Sequence, residues 1–300
     1  MILQRSIKDS VSATGVGLHS GKKVKLTLKP APENHGIVFC RTDLTSPMRI
    51  KADPTIVQDT KLCSAIGTEE FKVATVEHLM SALSALGIDN ILIEVNGPEL
   101  PIMDGSSISF IYLIKSAGII DQTLPKQFVF IKEAIEVNDG DKSARFDPHP
   151  GFLIDFTIDF PHPAFKDDDS HVVIDFFKDS YVSEISRART FGFMHEVEFL
   201  RANGLARGGS LDNAIVLDES KIINDDGLRY TDEFVRHKIL DAVGDLYLLG
   251  HQVIAKFDGY KSGHALNNQL LRNVQNDPSS YEIVTFVNEN ECPIPYVSVT

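Results

Sequence analysis

The most informative pattern of apolar and polar positions lies between residues 232 and 250. Val235, Ile239, Ala242, Leu246 and Leu249 recur at helical spacing, with Asp232 placed to cap the start and Gly250 to end it, so the pattern predicts an amphipathic helix. A second stripe, Phe234, His237, Asp241, Asp245 and Leu248, sets three ionisable groups at i, i+4 and i+8 between two apolar residues. Side chains at i and i+4 stand one above the other on a helix, so His237 and Asp241 can reach a single ion. An exposed His–Asp pair is the commoner meaning of such spacing, and the rest of the chain has to decide.

Upstream, residues 7–30 read as two strands joined through the glycine-rich turn 15–21, the second strand alternating Val24, Leu26 and Leu28. The glycines are spaced GxGxxxG and no helical period follows, which argues against a dinucleotide fold. Short extended pieces broken by Pro47 and Pro54 fill 36–73. A helix is predicted over 75–86, capped by Thr75 and stopped by Gly87, then a buried strand over 91–95 and a helix over 106–117. The segment 118–127 breaks the pattern and is read as a domain boundary. Beyond it, strands at 128–137, 142–146 and 152–160 predict an antiparallel meander. A strand at 172–176, helices at 179–185 and 194–203, strands at 214–217 and 253–257 and a helix at 265–274 complete the reading.

The two halves share an order: helix, glycine, strand, glycine-containing loop, helix. Gly87 corresponds to Gly250 and Gly105 to Gly263. The expected fold is therefore α+β, with two similar domains, 1–124 and 125–300. Each is expected to be a mainly antiparallel sheet with two helices on one face, the helices of the two domains facing each other across the active site.

Composition narrows the class. With 43% hydrophobic and 24% charged residues the chain is an ordinary globular protein, and no apolar leader or membrane-length run is visible, so a cytoplasmic protein without stable membrane insertion is expected. Three cysteines without CxxC spacing argue against a disulfide framework and a thiolate metal site. A net charge of −13 disfavours nucleic acid and repels anionic substrates at long range, so a phosphate-bearing substrate would need local lysines.

The first-half helix carries Glu77 and His78. With His237 and Asp241, His78 completes a two-imidazole, one-carboxylate set that leaves a zinc ion an open position and lowers the pKa of its water to about 7. Glu77 lies about 100° around the helix from His78, which suits it to take a proton rather than to ligate. His264 is a candidate proton donor that Asp245 could orient, and Thr190 and Lys238 could face a reacting carbonyl oxygen. His35, His149, His171, His195 and His251 read as surface residues, His162 as structural, and His19 as ambiguous.

Together TVEHL (75–79), SRARTFGF (186–193), VRHKILDAVGD (235–245), KSGHALNN (261–268), ATGVGLHSG (13–21) and PIMDGS (101–106) resemble the motifs of the UDP-3-O-acyl-N-acetylglucosamine deacetylase family, zinc amidases of the committed step of lipid A biosynthesis. The resemblance implies one zinc held by His78, His237 and Asp241, with Glu77 as general base and His264 as general acid oriented by Asp245. It implies Thr190 and Lys238 at the oxyanion, and an acylated UDP-sugar whose 2-acetamido group is hydrolysed to amine and acetate. Lys142, Asp159, Phe160 and Lys261 match positions on the nucleotide side. Phe193, Val197, Leu200, Ser210 and Ala214 match the acyl passage, lined by an inserted strand–helix–strand segment over about 193–222, Leu18 and Phe191 are further expected substrate-binding residues, and Cys63 matches a position near the metal. A monomer is expected. A zinc hydrolase of another N-acyl substrate and a metal-stabilised sugar-nucleotide binding module without turnover are the alternatives, and the ligand set also suits Fe(II).

Overall fold

The computed structural model describes residues 1–68, 70–165 and 169–294. Six α-helices occur among them: α1 (Glu77–Leu86), α2 (Ile108–Ser116), α3 (Tyr181–Glu184), α4 (Met194–Ala202), α5 (Glu233–Leu246) and α6 (His264–Asn276). The architecture is mixed α+β with mostly antiparallel pairing, as the sequence predicts.

In the first half, Val11–Val16 and Lys23–Pro30 form the expected hairpin, and Lys23–Pro30 pairs on its other edge with Ile91–Val95. Ile37–Arg41 lies parallel to Ile91–Val95 and Met48–Lys51 closes that edge. Alternation drives the assembly: Val24, Leu26, Leu28, Ile91, Ile93 and Val95 all point into the core. The segment read as a boundary is in fact a strand, Ile119–Pro125, paired antiparallel with Leu3–Ile7. Its partner lies more than a hundred residues away, and its short alternation, broken by Asp121 and Gln122, gives no local sign of pairing.

The second half corrects the meander. Its seven-stranded sheet is built around Gln252–Tyr260, which runs parallel to Phe128–Ile131 and Phe152–Thr157 and antiparallel to Lys142–Asp147. Only Ile135–Asp139 and Lys142–Asp147 form a hairpin; Gln252–Tyr260 separates 142–147 from 152–157. Alternation reports which face of a strand is buried and says nothing of its neighbour, so it does not reveal that a strand from far along the chain lies between two consecutive ones. Tyr281–Val284, a further strand, pairs with Phe128–Ile131.

Two capping expectations also change. Thr75 does not cap α1: it has φ 58°, a left-handed conformation, and Val76 precedes the first turn without a side-chain bond. The Asp232 side chain accepts no cap bond from an N–H of α5; its carboxylate accepts from Arg236 Nε at 2.5 Å instead. Gly87 and Gly250 both take left-handed φ, 65° and 82°, and end their elements as matched glycines should, Gly250 closing a 3-10 turn that follows α5. Gly105 and Gly263 do not match: Gly105 has φ 82°, whereas Gly263 is extended at φ −146°.

The helices meet where α1 packs on α5. Nine of the ten residues of α1 are buried, as befits a helix enclosed between a sheet and another helix. On α5 both stripes are buried; the ionisable one does not face solvent. Gly244 permits the crossing, since a Cβ there would collide with the main-chain carbonyl of Glu77.

Candidate metal centre

The α1–α5 crossing brings His78, His237 and Asp241 together, with one ligand atom from each within 4.8 Å of the others. Asp241 Oδ1 is 3.4 Å from His237 Nε2 and 3.6 Å from His78 Nε2, and the two imidazoles meet edge to face. Donors around a tetrahedral zinc with bonds of about 2.0–2.1 Å stand roughly 3.3 Å apart, so the spacing fits such an ion. Asp241 Oδ1 is buried and has no hydrogen-bond donor, a costly state for a carboxylate oxygen that a cation would relieve. His237 Nδ1 donates to the Ala188 carbonyl at 3.1 Å, which fixes the tautomer and leaves Nε2 as the ligand atom. Burial pushes the His237 imidazolium down to about 4, so the ring is neutral and able to bind metal at pH 7.

Beside the triad lie the proton-carrying groups. Glu77 is buried, and that burial raises its carboxyl to about 7 against the opposing charges of His264 and His78. Its Oε2 accepts the Ser64 main-chain N–H at 3.1 Å, and its Oε1 is 3.9 Å from His264 Nε2. Burial alone would lower His264, but Asp245, which accepts from Nδ1 at 2.8 Å, together with Glu77 and Asp241, carries it up to about 9. At neutral pH the site therefore holds a carboxylate near its titration point facing an imidazolium, the pairing that acid–base catalysis uses. Lys238 Nζ binds Asp241 Oδ2 at 2.7 Å, so its charge is directed at the carboxylate of the triad. Thr190 is fixed at the end of Phe191–Phe193, its N–H donating to Gly105 and its carbonyl accepting from Ile215, both at 2.8 Å.

Two cavities converge on Thr190 and Phe191. One, of about 520 Å³, contains His237, Lys238, Asp241, Gly263 and His264 on one wall and Phe160, Phe193, His162 and His195 on the other. The second, of about 350 Å³, is lined by Leu18, Val197, Leu200, Ser210 and Ala214 with Met194, Val216 and Ile223. The inserted segment, Phe191–Phe193, α4 and Ile215–Leu217, forms most of that wall. Phe193 faces the first cavity rather than the second, in an aromatic cluster with Phe160 and Phe165. Lys261 bridges Asp159 at 2.7 Å and Asp141 at 2.6 Å and lines neither cavity. Lys142, at the start of the strand Lys142–Asp147, is exposed and lines neither cavity. Cys63 lies behind Glu77 with Ala65 and Ala74, its thiol pushed up to about 12 by burial and the charge of Glu77, so it stays protonated.

Among the remaining histidines, His162 is structural, held by the Asp218 carbonyl and the Ala164 N–H. His171 pairs with Asp155 at the surface. His195 is exposed, as expected, and stacks on Phe193 at the cleft, whereas His251 is half-buried beside a polar cavity and is not a plain surface residue. His19 lines the second cavity with both ring nitrogens buried and without a protein partner. Sequence reasoning missed Ser64, Asn267 and the Ala188 carbonyl. Asn267, three residues after His264 on α6, carries a helical-spacing signal; Ser64, in a short loop before a three-residue strand, carries none.

No described helix is long and apolar enough to cross a membrane. A family profile described as UDP-3-O-acyl N-acetylglycosamine deacetylase matches residues 4–276. A UDP-3-O-acyl-N-acetylglucosamine deacetylase of Acinetobacter baumannii (strain ATCC 17978) is 57% identical over 300 residues, covering 100% of both chains. Proteins of the same name from Chromobacterium violaceum and Pasteurella multocida are each 54% identical, over 98% and 100% of this chain and 97% and 99% of their own.

Proposed function

The chain belongs to the UDP-3-O-acyl N-acetylglycosamine deacetylase family, and from that premise we propose which of its residues carry out the deacetylation. The protein hydrolyses the 2-acetamido group of UDP-3-O-acyl-N-acetylglucosamine. The observation that carries the residue assignment is the unpartnered, buried Asp241 Oδ1 facing two imidazole nitrogens, with Glu77 and His264 alongside. His78, His237 and Asp241 would hold a zinc ion, which when bound would supply Lewis acidity for a water and for the acetamide carbonyl.

Glu77 takes a proton from the attacking water, as a carboxylate poised near neutrality can. His264, held by Asp245, gives its Nε2 proton to the departing amine as the C–N bond breaks, releasing acetate. Thr190 and Lys238 lie on the wall where the carbonyl oxygen gains charge. The acyl chain occupies the cavity lined by Leu18, Val197, Leu200 and Ala214, and the nucleotide lies toward Phe160, Asp159 and Lys261. Two domains, 1–124 and 125–300, are the natural division, supported by strand pairings that stay within one half except where Leu3 lies opposite Pro125 at the boundary itself. Glu77→Gln tests the reading: metal and substrate are retained while kcat falls by about 10²–10⁴. Wild-type turnover in that variant would overturn the base assignment.

A further inference from the structure

Ser64 touches both members of the acid–base system. Its main-chain N–H donates to Glu77 Oε2 at 3.1 Å and its hydroxyl donates to Asp245 Oδ1 at 2.6 Å. The residue is 1% exposed, so neither bond competes with water. The other Asp245 oxygen, Oδ2, accepts His264 Nδ1–H at 2.8 Å and the Asn267 amide at 2.9 Å. Asn267 is held in that orientation because its Oδ1 accepts the Ser262 hydroxyl at 2.6 Å, leaving only N–H groups to face Asp245. Three donors thus converge on one carboxylate, and the donor from the first half also grips the base.

We propose that Ser64 is a positioning residue for the deacetylation, fixing Glu77 relative to His264 and limiting how much of the Asp245 charge His264 receives. The inference rests on the acid–base assignment above. A carboxylate that shares its charge among several donors offers less to each. With the hydroxyl removed, Oδ1 is left buried without a donor and His264 becomes the main recipient of the charge. The imidazolium then holds its proton more tightly and is a weaker acid toward the leaving amine. The charged groups facing His264 are Asp245 and Asp241 from α5 and Glu77 from α1, and Ser64→Ala changes none of them. A moved pH limb therefore reports the lost hydroxyl.

The test measures kcat and KM against pH for the full-length, metal-loaded enzyme, with side-chain NMR of His264 in the metal-free protein. In Ser64→Ala, kcat is expected to fall about tenfold with KM within about twofold. The basic limb and the His264 titration should both move up by about half a pH unit. Ser64→Thr, which keeps the hydroxyl, should return both toward wild type; Asn267→Ala, a second lost donor, should move the limb in the same direction. Unmoved limbs in Ser64→Ala and Asn267→Ala, whether or not the variants are less stable, would overturn the inference and leave Ser64 a packing residue. A basic limb that survives His264→Ala unchanged would instead overturn the acid assignment itself.

Discussion

Each ionisable residue at the centre owes its role to what surrounds its polar atoms. Asp241 and His237 each have one polar atom engaged, by Lys238 and by the Ala188 carbonyl, and one turned inward. Asp245, four residues on, has both oxygens occupied by Ser64, Asn267 and His264 and so has none left for an ion. Asp241→Ala and His237→Ala should each weaken metal binding at least 100-fold, as elemental analysis after dialysis would reveal. The pH dependence follows from the same surroundings. In the proposed roles Glu77 acts ionised and His264 protonated, so kcat/KM should rise as pH passes about 7 and fall as it passes about 9. His264 also links stability to pH: its folded value lies above the ordinary 6.5, so its pairing contributes stability that is complete below about pH 6.5 and lost as pH rises through about 9. Thermal unfolding of the metal-free protein should show that loss, and Asp245→Asn should flatten it.

At the scale of elements the centre depends on two helices crossing closely. Gly244 lies against the Glu77 main chain, so Gly244→Ala must push α1 and α5 apart. A loss of about 1–3 kcal/mol in denaturant unfolding is expected. Because a displacement of about 1 Å can cost 10²-fold in rate, activity should fall further than stability. Both helices, their terminal glycines and the His237–Asp241 spacing were readable in the sequence, since a 3.6-residue period is local information. Strand neighbours were not: the pairing of Leu3–Ile7 with Ile119–Pro125, and the central place of Gln252–Tyr260, are set by contacts far apart in the chain. The cap at Asp232 failed because Arg236, one turn away, competes for the same carboxylate. At the site, the proposed ligands and the proposed acid–base pair carry spacing or motif signals, whereas Ser64 is placed by the fold alone.

For the whole molecule, α1 of the first half meets α5 of the second, so the proposed metal and acid–base residues come together only when both halves are folded and docked. Metal should accordingly stabilise the entire chain, raising the unfolding midpoint with metal concentration as a ligand of the native state does. The inserted segment extends the second half into an apolar cavity that ends at Thr190 and Phe191, beside the metal centre. Filling it with Ala214→Trp should raise KM for a long-chain acyl substrate at least tenfold while sparing a short-chain analogue. The decisive property is where the metal binds. Anomalous diffraction at the zinc edge on crystals of the wild-type protein should give one peak within bonding distance of His237 Nε2, Asp241 Oδ1 and His78, beside Glu77. A peak at Cys63 or elsewhere, or an empty triad in active crystals, would contradict it.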